Sequence, residues 1–171
     1  MSITMYQASV PVFAQMLKGL SVVLDKAEAH CTAKKIDPVV LTSTRLIADM
    51  FPLARQVMIA TDFAKGITAR LAGVEVPTWE DTGMTIQELK ARVQKAIAFV
   101  EGFKPAQIDG SEGRDITLKV GPDMRTFKGQ PYLLHFGMPN FYFHTAAAYS
   151  ILRANGIDLG KRDFMGPVPG M

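Results

Sequence analysis

Four segments of this chain repeat apolar residues at alternating spacings of three and four, and that rhythm leaves few folds open to it. In the first, Val10, Phe13, Leu17, Leu20, Leu24, Ala27 and Cys31 fall on one stripe of a helix from about Met5 to Cys31. Pro11, in its second turn, should kink or loosen the start. Asp37-Pro38 opens the next element, with Asp37 as cap and Pro38 at the first helical position. The second stripe, Leu46, Met50, Leu53, Val57, Ala60, Ala64, Ile67 and Leu71, ends at Gly73, a natural C-cap. It stays in phase across Pro52, so a kink rather than a break is expected there.

Val74 to Gly83 reads as a loop. Thr85-Ile86-Gln87-Glu88 is a capping box, and the third helix follows with Ile86, Leu89, Val93, Ala96, Val100 and Phe103 inward. Between Lys104 and Gly129 the period changes: Ile116, Leu118 and Val120 alternate with polar residues, Gly121-Pro122-Asp123 turns, and Met124 to Phe127 returns. A lone hairpin is marginal in water, so it must pack on the bundle or a partner. The last helix should span Pro131 to Asn155, interrupted by Pro139. The tail, with four glycines and two prolines, should be neither helix nor strand. Phe164 and Met165 would anchor it, and Lys161, Arg162 and Asp163 would latch it or bind an anion. The fold expected is mainly all-α: one domain, residues 1–171, an antiparallel four-helix bundle with a small β-hairpin before the last helix.

Composition excludes several functions. The net charge is +3 with scattered basic residues, the densest cluster being Lys34-Lys35, so no nucleic-acid patch is expected. No stretch of about 18 apolar residues exists to span a membrane. A single cysteine, Cys31, allows no internal disulfide, and the first residues lack a basic segment before an apolar run. Both point to a cytoplasmic protein without a signal peptide. Ten methionines suit an adaptable ligand pocket or a dimer face.

The chemistry concentrates on the last helix, whose stripe reads Leu133, Gly137, Asn140, His144, Ala147, Ile151. Asn140 and His144, one turn apart, should face the interior, where polar groups are costly unless bonded or used. On the second helix Asp49 lies between Leu46 and Met50, so an acid, an amide and an imidazole are expected to converge. Each has a plainer reading. His144 could be a base, a ligand or a fixed core histidine. Asp49 could be a base or pair with Arg45. Asn140 could satisfy backbone groups freed by Pro139. Tyr142 and Phe141 could line a pocket or fill the core. His135 should face elsewhere. His30 and Cys31, being adjacent on a helix, point about 100° apart and form no dyad. No P-loop, GxGxxG or Ser-His-Asp order is present.

The run Pro139-Asn140-Phe141-Tyr142-Phe143-His144, then Tyr149 to Gly156 and Gly160-Lys161-Arg162-Asp163-Phe164, resembles a bacterial family known as a domain of unknown function. That family is grouped with the DinB/YfiT-like four-helix bundles. Arg45 to Pro52 resembles its second-helix block, and the likeness covers nearly the whole chain. The resemblance implies a bundle that binds a divalent metal through three histidines, one on the second helix and two spaced i, i+4 on the last. It also implies thiol-dependent transferase or hydrolase relatives, and a homodimer. Carried over, those ligand positions fall near Asp49 and on Asn140 and His144, of which only one is histidine. An amide is a weak neutral ligand, so a degenerate site with no metal and no other cofactor is expected. The alternative is oxygen-rich ligation of manganese or magnesium, completed by waters.

Three readings follow. The first is a small molecule bound between the helices and oriented by Asp49, Asn140, His144 and Tyr142. The second is a metal-dependent transferase or hydrolase with His144 as acid/base or ligand, Asp49 as base or second ligand, and Asn140 polarising a carbonyl. The third is a structural homodimer whose polar cluster fixes helix register.

Overall fold

The structure is a computed structural model that describes residues 2–81 and 85–170. Its frame is α1 (Val10–Lys34), α3 (Leu53–Ala72), α4 (Ile86–Glu101) and α7 (Met138–Ala154), the long helices expected from the stripes. α3 lies between α4 and α7, and α1 packs on α4. Every residue of the α1 and α4 stripes is buried, and Phe13 of α1 meets Phe141 of α7 edge-on at 4.9 Å. Among the described residues no helix is long and apolar enough to cross a membrane.

The local signals act where chemistry places them. Pro11 marks the start of α1 rather than a kink within it, because an N-terminal turn has no use for the missing N–H. Thr85 and Glu88 form the reciprocal capping box, and Gly73 ends α3 at φ 71°. Gly83, the expected end of the loop before α4, lies outside the described residues. The hairpin pairs β1 (Asp115–Val120) with β2 (Asp123–Lys128). It packs on the bundle through Ile116 and Phe127.

Two expectations are corrected. Pro52 ends the expected helix instead of kinking it. α2 (Pro38–Ser43) is capped by Asp37 but stops after six residues, and α3 begins anew at Leu53 with Pro52 extended. A residue before proline is pushed out of helical geometry, and the 44–52 segment becomes a loop closed by Leu53 N–H donating to the Thr44 carbonyl at 2.9 Å. Leu46 is therefore exposed, so its place in the stripe is coincidental.

The tail, expected to be irregular, holds a short helix, α8 (Lys161–Met165). Asp163 starts it by accepting from Gly160 N–H at 2.8 Å, and the same carboxylate takes Lys26 at 2.8 Å, both of which lower its pKa. Phe164 packs on Tyr149 at 5.5 Å, and the Met165 carbonyl accepts from Gln15. The docking is backbone on backbone: a Cβ at Gly19 would stand 2.6 Å from the Phe164 carbonyl oxygen. Gly19→Ala should therefore cost roughly 1–3 kcal/mol by overpacking and expose the tail to protease. Urea unfolding with limited proteolysis checks this; unchanged stability and cleavage would mean that the contact yields freely.

Candidate functional site

The last helix enters the bundle in an unusual way. A turn, α6 (Gly129–Pro131), leads into a π-helical segment, Tyr132–Gly137, which runs directly into α7. Pro139 has no N–H to give the preceding turn, and a widened turn is one way a helix absorbs that loss. Gly137 lets the segment close on α3, since a Cβ there would stand 2.7 Å from Ile67 Cδ1. Asn140 donates from its amide to the Phe136 carbonyl at 2.7 Å. The Asn140 side chain is thus engaged with the backbone one turn back.

His144 is buried, 8% exposed, with Nδ1 2.7 Å from Gln56 Oε1 on α3. Gln56 is itself 1% exposed and donates its amide to the Phe51 carbonyl at 3.1 Å. With the amide so turned, its oxygen accepts, so Nδ1 carries the proton and the lone pair falls on Nε2. Phe63 stacks on the imidazole at 5.9 Å and Phe143 meets it edge-on at 5.2 Å. Burial, and then the charge of Arg55, hold the His144 pKa below its ordinary value, so the ring is neutral at pH 7.

The expected convergence on Asp49 does not form. Asp49 is exposed in the 44–52 loop, because the break at Pro52 takes it off the helix that would have pointed it inward. Arg45 does not pair with it but donates to the Met50 carbonyl. Tyr142 is exposed on α7, beside Phe141, with its pKa raised by partial burial. Cys31 is free and buried, and burial raises its thiol pKa. Gln56, which holds the histidine, was missed in the sequence; its place beside Val57 and three residues after Leu53 put it on the inward arc of α3.

Among the described residues no three His, Cys, Asp or Glu side chains gather as ligands. Around His144 the Gln56 oxygen is already bound to Nδ1 and the Asn140 amide to Phe136. One imidazole without carboxylate neighbours does not fit the three-histidine site that the family resemblance implies.

What opens beside His144, across the Phe63 ring, is a groove of about 280 Å³ between α3, β1 and the π-helical segment. Phe63, Phe136 and Leu118 supply apolar walls, and Arg55, Arg70 and Tyr132 line it with polar atoms. The aromatic wall is continuous: Phe63 lies 6.0 Å from Phe136, which stacks on Tyr132 at 5.9 Å and on Phe127 at 5.3 Å. A larger cleft of about 430 Å³ lies by Trp79, but its cations already face that indole, Lys95 at 4.8 Å and Arg92 at 5.7 Å. Sequence reasoning missed the groove because its walls come from α3, the hairpin and the π-helical segment, which no single periodicity joins.

Among comparisons with known proteins, the model of a family described as a domain of unknown function (DUF1993) matches residues 5–165. The chain is 38% identical to a crystallised DinB family member from Shewanella denitrificans, over 96% of this chain and 93% of that one, with a TM-score of 0.86. No curated protein matches it.

The depressed histidine has a consequence for stability. Unfolded, His144 takes up its proton near the ordinary value of 6.5; folded, it does so lower. The unfolded state binds more protons between the two values, so this contribution is complete above the unfolded value and is lost as pH falls through the folded one. Urea unfolding from pH 8 to 5 should show wild type losing more stability than His144→Gln; parallel curves would contradict the shift. Gln56→Leu, which leaves Nδ1–H without its acceptor, should cost about 1–3 kcal/mol at pH 7.5 in the same assay.

Proposed function

We propose that this chain, which belongs to the DUF1993 family and has the DinB-like bundle fold, binds a small, partly apolar molecule in the groove between α3, the hairpin and the π-helical segment. The single observation that carries this reading is the groove itself: a concave aromatic wall with polar groups converging on it, the common form of a ligand site. A π-helical turn beside it strengthens the reading, since such turns recur at functional sites. The metal positions of the wider fold are degenerate in this reading. His144 serves from behind, holding the Phe63 wall through its stack while Gln56 fixes the imidazole. Asp49, Asn140 and Tyr142 take no part in contacting the ligand.

A fragment library followed by amide NMR tests the proposal. Hits should shift resonances of residues 59–70, 118–119 and 132–136, and Phe136→Ala should weaken them about 2- to 10-fold, the worth of one aromatic wall. Shifts confined to the Trp79 cleft, or none at all, would overturn it.

A homodimer is part of the same reading. Leu46, Ile47 and Phe51 in the 44–52 loop, with Phe143 on α7, are exposed apolar side chains of the kind an interface covers. Light scattering of the purified chain should give twice the 18.7 kDa protomer mass, and the Ile47→Glu, Phe143→Glu double variant should give the protomer. A monomeric wild type would remove this element. We also take the chain to be cytoplasmic; its one cysteine is buried and unbridged, which suits a reducing compartment.

A further inference from the structure

We propose that the groove recognises a carboxylate, so that its ligand is a small organic acid with an aromatic or aliphatic body, and that Arg70 and Tyr132 are the pair that reads the acid group. The inference rests on the groove being a binding site and adds the chemical class of what enters it.

Charge bookkeeping on α3 and its neighbours singles out Arg70. Arg55 pairs with Asp81 at 2.5 Å, Lys65 with Asp62 at 2.8 Å, and Arg92 with both acids at 3.0 and 3.1 Å. Asp62, the one acid on the groove wall, is thereby neutralised. Arg70 has no carboxylate partner among the described residues. Its Nη1 instead donates to the Tyr132 hydroxyl at 3.3 Å. A cation in the last turn of α3 suits the helix dipole, but the dipole does not direct it into the groove.

Gly66 does direct it. A Cβ at Gly66 would stand 2.5 Å from Arg70 Nη1, so the guanidinium lies back across the helix over a position without a side chain. Tyr132 completes the arrangement. It is 1% exposed, and burial raises its pKa while the nearby Arg70 charge opposes the rise, so the phenol keeps its proton. Its oxygen accepts from Arg70, and the proton has no acceptor among the described residues. A buried hydroxyl proton and a guanidinium edge side by side form a two-donor face, the complement of a planar carboxylate. Lys119, also without an ion pair among the described residues, stands at the rim and would favour the approach of an anion. Phe63, Phe136 and Leu118 would take the apolar body.

The probes are phenylacetate and phenylacetamide, alike in shape and different in charge, titrated into the full chain at constant ionic strength and followed by amide NMR. Phenylacetate should bind at the groove about tenfold more tightly than the amide. Arg70→Gln should abolish that preference by lowering phenylacetate affinity about tenfold, to the level of the amide. Gly66→Ala, which keeps the arginine but displaces its guanidinium, should lower phenylacetate affinity selectively, and Tyr132→Phe should do so about fivefold. Equal binding of the two probes at the groove would overturn the carboxylate inference and leave the groove standing as an apolar site. Absence of groove shifts with either probe at tens of millimolar would overturn the groove reading itself. Retained acid preference in a folded Arg70→Gln chain would overturn the role of Arg70.

Discussion

Pro139 has no amide proton, and much of the candidate site follows from how the chain absorbs that gap. A π-helical turn places an extra residue in the helix and shifts its inward face by about 100°. Within the π-helical segment Tyr132, Leu133 and Gly137 are buried; after it the buried positions are Phe141, His144, Thr145, Ala147, Ala148, Ile151 and Leu152. The slip keeps Asn140 from the core, puts Phe141 against Phe13, and leaves the amide free to bind the Phe136 carbonyl. It also sets Tyr132 and Phe136 on the side facing the hairpin, where they become a wall.

Which parts of the fold were legible follows from how local their determinants are. α1, α4, the capping box at Thr85, the hairpin and the C-cap at Gly73 are local features, each determined by residues within a turn or two, and each stands where the sequence puts it. The stripe that includes Leu46 and Met50 matches the helical period without being helix, because Pro52 restricts the residue before it and the loop closes through Thr44 and Leu53. The tail helix was hidden because its driving force is nonlocal: Gly19 opens a seat on α1, and Lys26 and Gln15 bind what lies in it.

Site chemistry was legible one residue at a time but not in its pairings. His144 was recognisable as an inward polar residue, and it is buried as such. Its partner is Gln56 rather than Asp49, a choice made by the packing of α3 on α7, which a single helix cannot reveal. The substitution matters physically. A carboxylate beside the imidazole would favour the charged ring, whereas an amide oxygen fixes one tautomer and leaves the ring neutral, stacked on Phe63 and edge-on to Phe143. That arrangement suits a rigid wall better than a proton relay.

The ion pairs then decide where a ligand's charge could be felt. Asp62 and Asp81 between them occupy Arg55, Lys65 and Arg92, and Arg92 and Lys95 face the Trp79 indole, so the larger cleft presents cations already engaged. Arg70 lies one to two turns beyond that network, past the reach of either acid. Opposite charge compensates a partly buried guanidinium more fully than a phenol oxygen does, so the electrostatic deficit of this face of α3 is concentrated at Arg70. It coincides with the aromatic wall that the Pro139 slip builds. Two independent features, a helix that widens before Pro139 and a network that runs out of acids, therefore meet in one groove.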